Sequence, residues 1–446
     1  MRKLIETVKN IWKIEDLRQR ILITILFVAI YRFGSFIVLP GIDANKLDAL
    51  RQQTSEGLMA LLNAFSGGAF SNASVFALGI MPYITASIVL QLFTIAVPHF
   101  QKMQREGESG HRKINQYTRY LTVLILLFQA PSYLINLKMQ AQGALDTNAI
   151  GWTGFMITST IILAAGSMFI LWLGERITDK GIGNGISLII MIGIIARFPN
   201  AFFQELVSRL ASPNAGGLVA FLFEIVFLFL VICFAIMLVQ GVRKVPVQYA
   251  KRIVGNKTAG TGARQYIPLK VNAANVMPII FAQAIMFIPI TIMQVAGSAS
   301  WLQPFLDHTS FAYNVVFAAL IIIFTYFYTA ITLNSTQMAE DMKRNNGFVP
   351  GIKPGKPTAD FLDKIMDRIT LPGSLFLALV AILPAFAGIF GVKQEFAQFF
   401  GGTSLLILVG VVLDTLQQIE SHLMMRHYDG LLNSGRIKGR YGSAAY

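Results

Sequence analysis

The chain has 446 residues, 54% of them hydrophobic and 13% charged, with a formal net charge of +14 and a mean hydropathy of +0.58. A soluble domain carries roughly a quarter charged residues, so this chain has too few polar groups to cover a water-facing surface. The bilayer must be its solvent.

A helix needs about 20 apolar residues to cross a hydrocarbon core of about 30 Å. On that basis the chain offers spans at about 21–39, 75–97, 118–137, 152–173, 183–198, 217–239, 275–295, 313–333, 370–391 and 402–419. None shows the alternation of a barrel strand, so the expected fold is all-α, a polytopic bundle of ten helices. The first segment follows six Lys/Arg and could pass for a signal peptide, but it lacks a small-residue cleavage site and reads as a retained helix.

Between spans one and two lies "LLNAFSGGAFSNASVF", Leu61 to Phe76. It is too apolar for a surface loop, and too short and too broken by Gly67–Gly68 to cross a membrane. Sequence alone leaves it as an interfacial amphipathic piece or a re-entrant one.

Further along, Pro199–Gly217 reads as an outward loop and a natural boundary between two five-span halves, 1–205 and 206–446. Since five is odd, homologous halves would insert in opposite directions, as inverted repeats do. Span six holds Cys233, the only cysteine, so no disulfide can form within the chain.

Two loops exceed the length a helix connection needs. Residues 241–270 carry seven basic and no acidic residues, including Arg243, Lys244, Lys251 and Arg252. Val245, Val247 and Tyr249 alternate there as in a hairpin. Residues 334–368 contain "GFVPGIKPGKPT", whose Pro and Gly keep the backbone out of helix and hold a stiff tip around Lys353. Positive-inside charge explains the sign of these loops but not their length. A docking surface for large partners explains both, with RNA phosphates a suitable ligand.

Of the 37 Lys/Arg, 30 fall in the termini and loops of one side and 6 in loops of the other, with Arg32 inside span one. The positive-inside rule then puts both termini in the cytoplasm. Neither HExxH, GxSxG nor a P-loop occurs, and His99, His111, His308, His422 and His427 lie in loops or at span ends. An enzyme is not expected, nor a cofactor or metal. An ion-driven transporter, the rival class, should place charge at mid-membrane. Arg32, Glu224 and Asp414 all sit toward span ends, which favours packing or interface roles for them.

"FALGIMPYITASIVLQL" at 76–92 and "WLGERITDKGIGNGISLII" at 172–190, with "FSGGA" before them and "GGTSLLI" at 401–407, resemble the SecY/Sec61α protein-translocation channel family, in its bacterial form and along essentially the whole chain. The resemblance implies an hourglass pore between the two halves, pinched by Ile80, Ile84, Ile190, Ile280 and Ile407. Helical rise adds modest support, putting Ile84 about 14 Å, Ile190 about 10 Å and Ile407 about 8 Å from the near ends of their spans. The resemblance makes 57–72, including Phe65, Ser66, Gly67, Gly68 and Ala69, a plug helix. Ser87, Gln91, Gln129 and Asn272 fall where the family has a lateral gate, though such polar residues are also routine in helix packing. Arg243, Lys244, Lys251, Arg252 and Lys353 fall in its docking loops, Lys353 standing where bacterial members carry Arg. The implied partners are SecE- and SecG-type small membrane subunits, the SecA motor ATPase, the ribosome and its RNA, signal peptides with unfolded or nascent polypeptides, and the bilayer itself. The implied place is the bacterial plasma membrane.

Overall fold

The computed structural model describes residues 12, 14–43, 47, 63, 65–140, 151–211, 217–249, 253–254, 257–258, 265–274, 276–283, 285–286 and 310–433. Helices dominate: α1 (Glu15–Gly34), α2 (Met81–Ala96), α3 (Pro98–Arg105), α4 (Glu108–Gln140), α5 (Gly151–Lys180), α6 (Gly185–Ala211) and α7 (Gly217–Gln240). After a strand region come α8 (Phe311–Thr332), α9 (Ser335–Arg344), α10 (Lys356–Ile389), the short α11 (Gln394–Ala397) and α12 (Gly402–Asn433). Among the described residues seven helical segments are long and apolar enough to cross a membrane, or up to eight if the bent pair at 81–104 is one span. Residues 277–283 are helical, and much of the expected span seven lies outside the described residues.

The chain divides into two compact units, Met1–Arg197 with Val411–Tyr446, and Phe198–Gly410. In the first, α4 packs between α2 and α5, and α1 lies against α5. A buried cluster of Leu39, Phe70, Leu78, Leu126, Leu134, Phe155 and Leu163 ties α4 and α5 to the chain between α1 and α2. In the second, α8 and α10 pack along each other, and α10 also meets α7. Outward faces are apolar: Val219, Phe223 and Met237 of α7 are each more than 70% exposed, as a lipid-facing helix requires.

Three elements differ from the expectations drawn from sequence. Residues 66–80 are successive tight turns, and helix begins only at Met81, after Ile80 as N-cap. Ile84 therefore sits one turn into its helix, and its depth cannot be reckoned by helical rise from residue 75. Four positive-φ residues in this stretch, Gly67, Gly68, Ala73 and Gly79, break the helix. Residues 199–211, read as loop, continue α6 through Pro199; the run "AFFQELVSRLA" is made of fair helix formers, and Glu205 and Arg209 pair at i,i+4. Residues 334–368 hold α9 and the first turns of α10, so only 345–355 lies between helices, and it includes a two-residue strand at 347–348.

The expected hairpin is present. Strand β1 (Val242–Tyr249) pairs antiparallel with β4 (Gln265–Lys270), Val245 opposite Ile267. A two-residue pair, β2 (Ile253–Val254) and β3 (Lys257–Thr258), lies between them in sequence. The other edge of β1 takes β5 (Gly347–Phe348) from the second long loop, for the order β4-β1-β5. Both loops thus build one small body, whose core is Val245, Val247, Leu269, Met342, Val349, Leu362 and Met366.

Candidate functional site

Residues 66–80 are irregular backbone in the first unit, and α1 and α4 supply donors to its carbonyls. Tyr31 Oη donates to the Ser66 carbonyl at 3.1 Å, Arg32 Nη1 to Gly67 at 2.9 Å, and Tyr133 Oη to Phe70 at 2.9 Å. Just before it, Asn63 Oδ1 accepts from the Ser71 N–H at 3.1 Å, and the Asn63 carbonyl accepts from Gly68 at 2.9 Å. A β-bridge joins Val38 and Ser74, with Leu39 donating to Ala73 and Val75 to Ile37, each at 2.9 Å. Unpaired backbone away from water costs several kcal/mol per group, so this density of partners is what lets irregular chain exist beside membrane helices.

Close approach is bought with glycine. The Gly67 position lies so near Gly193 of α6 that an added Cβ would sit 2.8 Å from the Gly193 Cα. A Cβ on Gly166 of α5 would run into the Val75 carbonyl, and one on Gly34 into the Phe76 ring. Phe76 stacks between Tyr31, at 6.3 Å between ring centroids, and Phe169, at 6.0 Å.

The long motif at 172–190 folds as a tight corner between α5 and α6. Asn184 Oδ1 accepts from the Ile186 N–H at 3.1 Å, and Thr178 Oγ1 accepts from Gly185 at 2.9 Å. Gln418 of α12 accepts from the Gly183 N–H at 2.8 Å, and Thr24 of α1 accepts from Ile182 at 3.2 Å. A Cβ on Gly185 would strike the Gly174 carbonyl. These ties fix the start of α6 and with it Ile190. At the other motif, Gly401 packs against the Val380 carbonyl of α10, and Gly402 takes φ +68, so α12 starts hard against α10.

The expected pore residues fall as follows. Ile80 and Ile190 are buried, and Ile84 is half-buried with its N–H bonded to the Ile80 carbonyl at 3.1 Å, so the two share a helical turn. These three belong to the first unit, whereas Ile280 and Ile407, both half-buried, belong to the second. Of the expected plug, Phe65, Ser66 and Ala69 are buried and Gly67 and Gly68 have positive φ; residues 57–62 and 64 lie outside the described residues. Ser87 and Gln129 are half-buried on α2 and α4, and Gln91 is exposed. Asn272 is buried, and its Oδ1 has no hydrogen-bond partner among the described residues.

Of the expected docking residues, Arg243 and Lys244 are exposed on β1, and Lys353 is exposed at the tip, its carbonyl accepting from Thr358 Oγ1 at 2.9 Å. Gly351 and Gly355 flank it with positive φ. Lys251 and Arg252 lie outside the described residues.

A second polar cluster was not foreseen. In the second unit Arg209 Nε donates to Glu205 at 2.9 Å, and its Nη2 pairs with Glu224 of α7 at 2.6 Å. Glu205 also accepts from the Lys393 N–H at 2.9 Å, and Arg209 reaches the Phe390 carbonyl at 3.4 Å. All three side chains are at least nine-tenths buried. The sequence signal was the i,i+4 spacing of Glu205 and Arg209, hidden because the stretch reads as loop. Asp414 is exposed.

A SecY family profile matches residues 74–416. A relative from Streptomyces scabiei, "Protein translocase subunit SecY", is 42% identical over 437 residues, covering 94% of this chain and 98% of the relative. One of the same description from Chlamydia trachomatis serovar D is 41% identical over 97% of this chain and 99% of its own length. Among solved structures, "The structure of a protein conducting channel" matches at TM-score 0.58 and 16% identity, covering 94% of this chain and 95% of the other. A SecY structure described by its plug domain matches at TM-score 0.59, also at 16% identity and with the same coverage of both chains. A family profile over residues 74–416 and relatives 41–42% identical over nearly the whole chain lead to one conclusion: the chain belongs to the SecY family.

Proposed function

We propose that this chain is the pore subunit of a protein-conducting channel that passes unfolded secretory proteins across the bacterial plasma membrane and releases apolar segments sideways into lipid. The observation that carries this is 42% identity with a SecY translocase subunit over 94% of the chain. The full reading has ten spans in two inverted halves, 1–205 and 206–446, with both termini cytoplasmic. The 30-to-6 division of Lys/Arg supports that orientation.

In this reading Ile80, Ile84, Ile190, Ile280 and Ile407 form the constriction. Aliphatic side chains give an ion no substitute for its hydration shell, so a narrow ring of them dewets and blocks conduction. Isoleucine makes no sequence-specific hydrogen bonds and can yield around any extended chain. Residues 57–72 reinforce the seal as a plug, and a lateral gate uses Ser87, Gln91, Gln129 and Asn272. The buried Asn272 Oδ1, without a partner among the described residues, suits a position whose partner arrives with the substrate.

The basic body built from both long loops is the docking surface. Arg243, Lys244 and Lys353 are among its exposed cations, and Lys251 and Arg252 belong to the first of the two loops. Its partners are a SecA-type motor ATPase and the ribosome; one matched structure is "Sec61 in the Canine ribosome-channel complex from the endoplasmic reticulum" (TM-score 0.53, 16% identity). Small subunits of SecE and SecG type complete the channel. The chain performs no chemistry itself; the energy comes from its partners.

The test is reconstitution with those partners in sealed vesicles, adding a secretory precursor, motor and ATP. Protection of the precursor from external protease that requires this chain supports the reading. No protection, with every partner shown to be active, overturns it. Within the channel, Ile407→Asn should raise resting ion conductance in planar bilayers, since a polar side chain wets the constriction.

A further inference from the structure

Residues 390–401 join α10 to α12, and the Glu205–Arg209–Glu224 cluster grips their backbone. Arg209 Nη2 donates to the Phe390 carbonyl at 3.4 Å, and the Lys393 N–H donates to Glu205 Oε2 at 2.9 Å. These two bonds take hold of both ends of one turn, in which Gly391 has φ +79. Glu224 of α7 pairs with the same guanidinium at 2.6 Å, so the turn is tied to α6 and α7 together. Beyond the turn, Phe396 and Phe400 are 0% and 1% exposed, Phe399 meets Phe198 at 5.1 Å and Phe400 stacks on Phe227 at 5.9 Å. A Cβ on Gly401 would lie 2.1 Å from the Val380 carbonyl oxygen, and Thr403, Leu405 and Leu406 are buried. Little slack remains before Ile407, which follows Gly402 by five residues, about 7.5 Å of helical rise.

Apolar side chains of like volume would serve stability as well as three buried charges do. What the charges add is direction. Apolar packing lets a loop slide, whereas bonds to one carbonyl and one amide fix its register. We propose that Glu205, Arg209 and Glu224 are positioning residues for the pore: by clasping the 390–393 turn they set where α12 begins, and so the depth at which Ile407 enters the constriction. The inference rests on the translocation reading and deepens it.

Lys393 provides the test. Its side chain is exposed and its φ is −59, a value proline shares. Lys393→Pro deletes the donor to Glu205 and leaves all three charges in place, whereas Lys393→Ala removes the side chain and keeps the donor. In planar bilayers, with the small partner subunits present, Lys393→Pro is expected to raise resting ion conductance about tenfold, the factor that goes with losing one hydrogen bond to a charged group. Lys393→Ala should stay within about twofold of the parent. Added to Ile407→Asn, Lys393→Pro should raise conductance by less than about twofold more, because both act on the same constriction. A full further tenfold rise there would mean that the effect bypasses Ile407, and overturns the clasp.

In vesicles with precursor, motor and ATP, a parent that transports nothing, its partners being active, overturns the translocation reading and the clasp with it. A parent that transports, with Lys393→Pro as tight as Lys393→Ala, overturns the clasp alone. If Lys393→Pro does not assemble, Arg209→Lys serves, since it keeps a cation between the carboxylates without the planar fork that also reaches Phe390. A rise of about threefold is expected, the lost bond being the longer of the two. An Arg209→Lys channel as tight as the parent overturns the clasp.

Discussion

Residues 63–75 and the Glu205–Arg209–Glu224 cluster both hold polar groups among membrane helices, but by opposite means. In the first, backbone carbonyls are satisfied one at a time by Tyr31, Arg32 and Tyr133, and close fit comes from glycine. In the second, formal charges meet: one guanidinium faces two carboxylates, a loop amide donates to one of them, Glu205, and Glu224 Oε2 has no partner among the described residues. Many modest bonds spread over several helices tolerate the loss of any one. A charge cluster does not, because removing one member strands the others where water cannot reach them. The two regions should therefore respond to mutation very differently.

The largest effect is expected at Arg209. Arg209→Met leaves two buried carboxylates uncompensated, at a cost of about 3–5 kcal/mol, read by denaturant titration in detergent micelles. Replacing the whole cluster, with Glu205→Gln and Glu224→Gln added, should recover more than half of that loss, since no charge then remains. Equal stability of the single and triple variants would show that the cluster acts as ordinary polar contacts. Next come the glycines of the other region. Gly166→Ala and Gly34→Ala should each cost about 1–3 kcal/mol as overpacking. They should part in a double mutant: Phe76→Leu relieves Gly34→Ala, whose obstacle is that ring, but not Gly166→Ala, whose obstacle is the Val75 carbonyl.

How far these regions could be read from sequence follows from the range of the interactions. The break at Gly67–Gly68 is local, and both glycines do adopt positive φ. The alternation of Val245 and Val247 is local too, and both are buried in the β1–β4 pairing. By contrast, the partners of Ser66, Gly67 and Phe70 come from 35 and 63 residues away, and no periodicity announces them. Glu205 was hidden because Pro199 looks like a helix stop; in a membrane helix the freed carbonyl can be satisfied by neighbours, and α6 continues to Ala211. The addition of β5 to β1 rests on two residues, too few for a pattern. Arg32 was correctly placed near a span end, yet its partner is a backbone carbonyl, which sequence does not advertise.

The smallest effect tests whether the carbonyl clamps act as a set. Tyr133→Phe removes one hydroxyl and keeps the ring that packs on Phe70 at 4.7 Å. A single bond of this kind within a membrane bundle averages about 0.6 kcal/mol, so thermal stability in detergent should barely move. Tyr31→Phe should behave alike, because its ring still stacks on Phe76. The two hydroxyls bond carbonyls four residues apart on one segment, Ser66 and Phe70, so losing both frees it at two points. The double variant should therefore lose more than the two single losses combined, by at least about 0.5 kcal/mol, the lower bound for groups coupled through shared backbone. Strict additivity would mean that each hydroxyl anchors its own turn. The segment would then be a chain of separate contacts, the opposite of the coupled charge cluster, and not a single clamped unit.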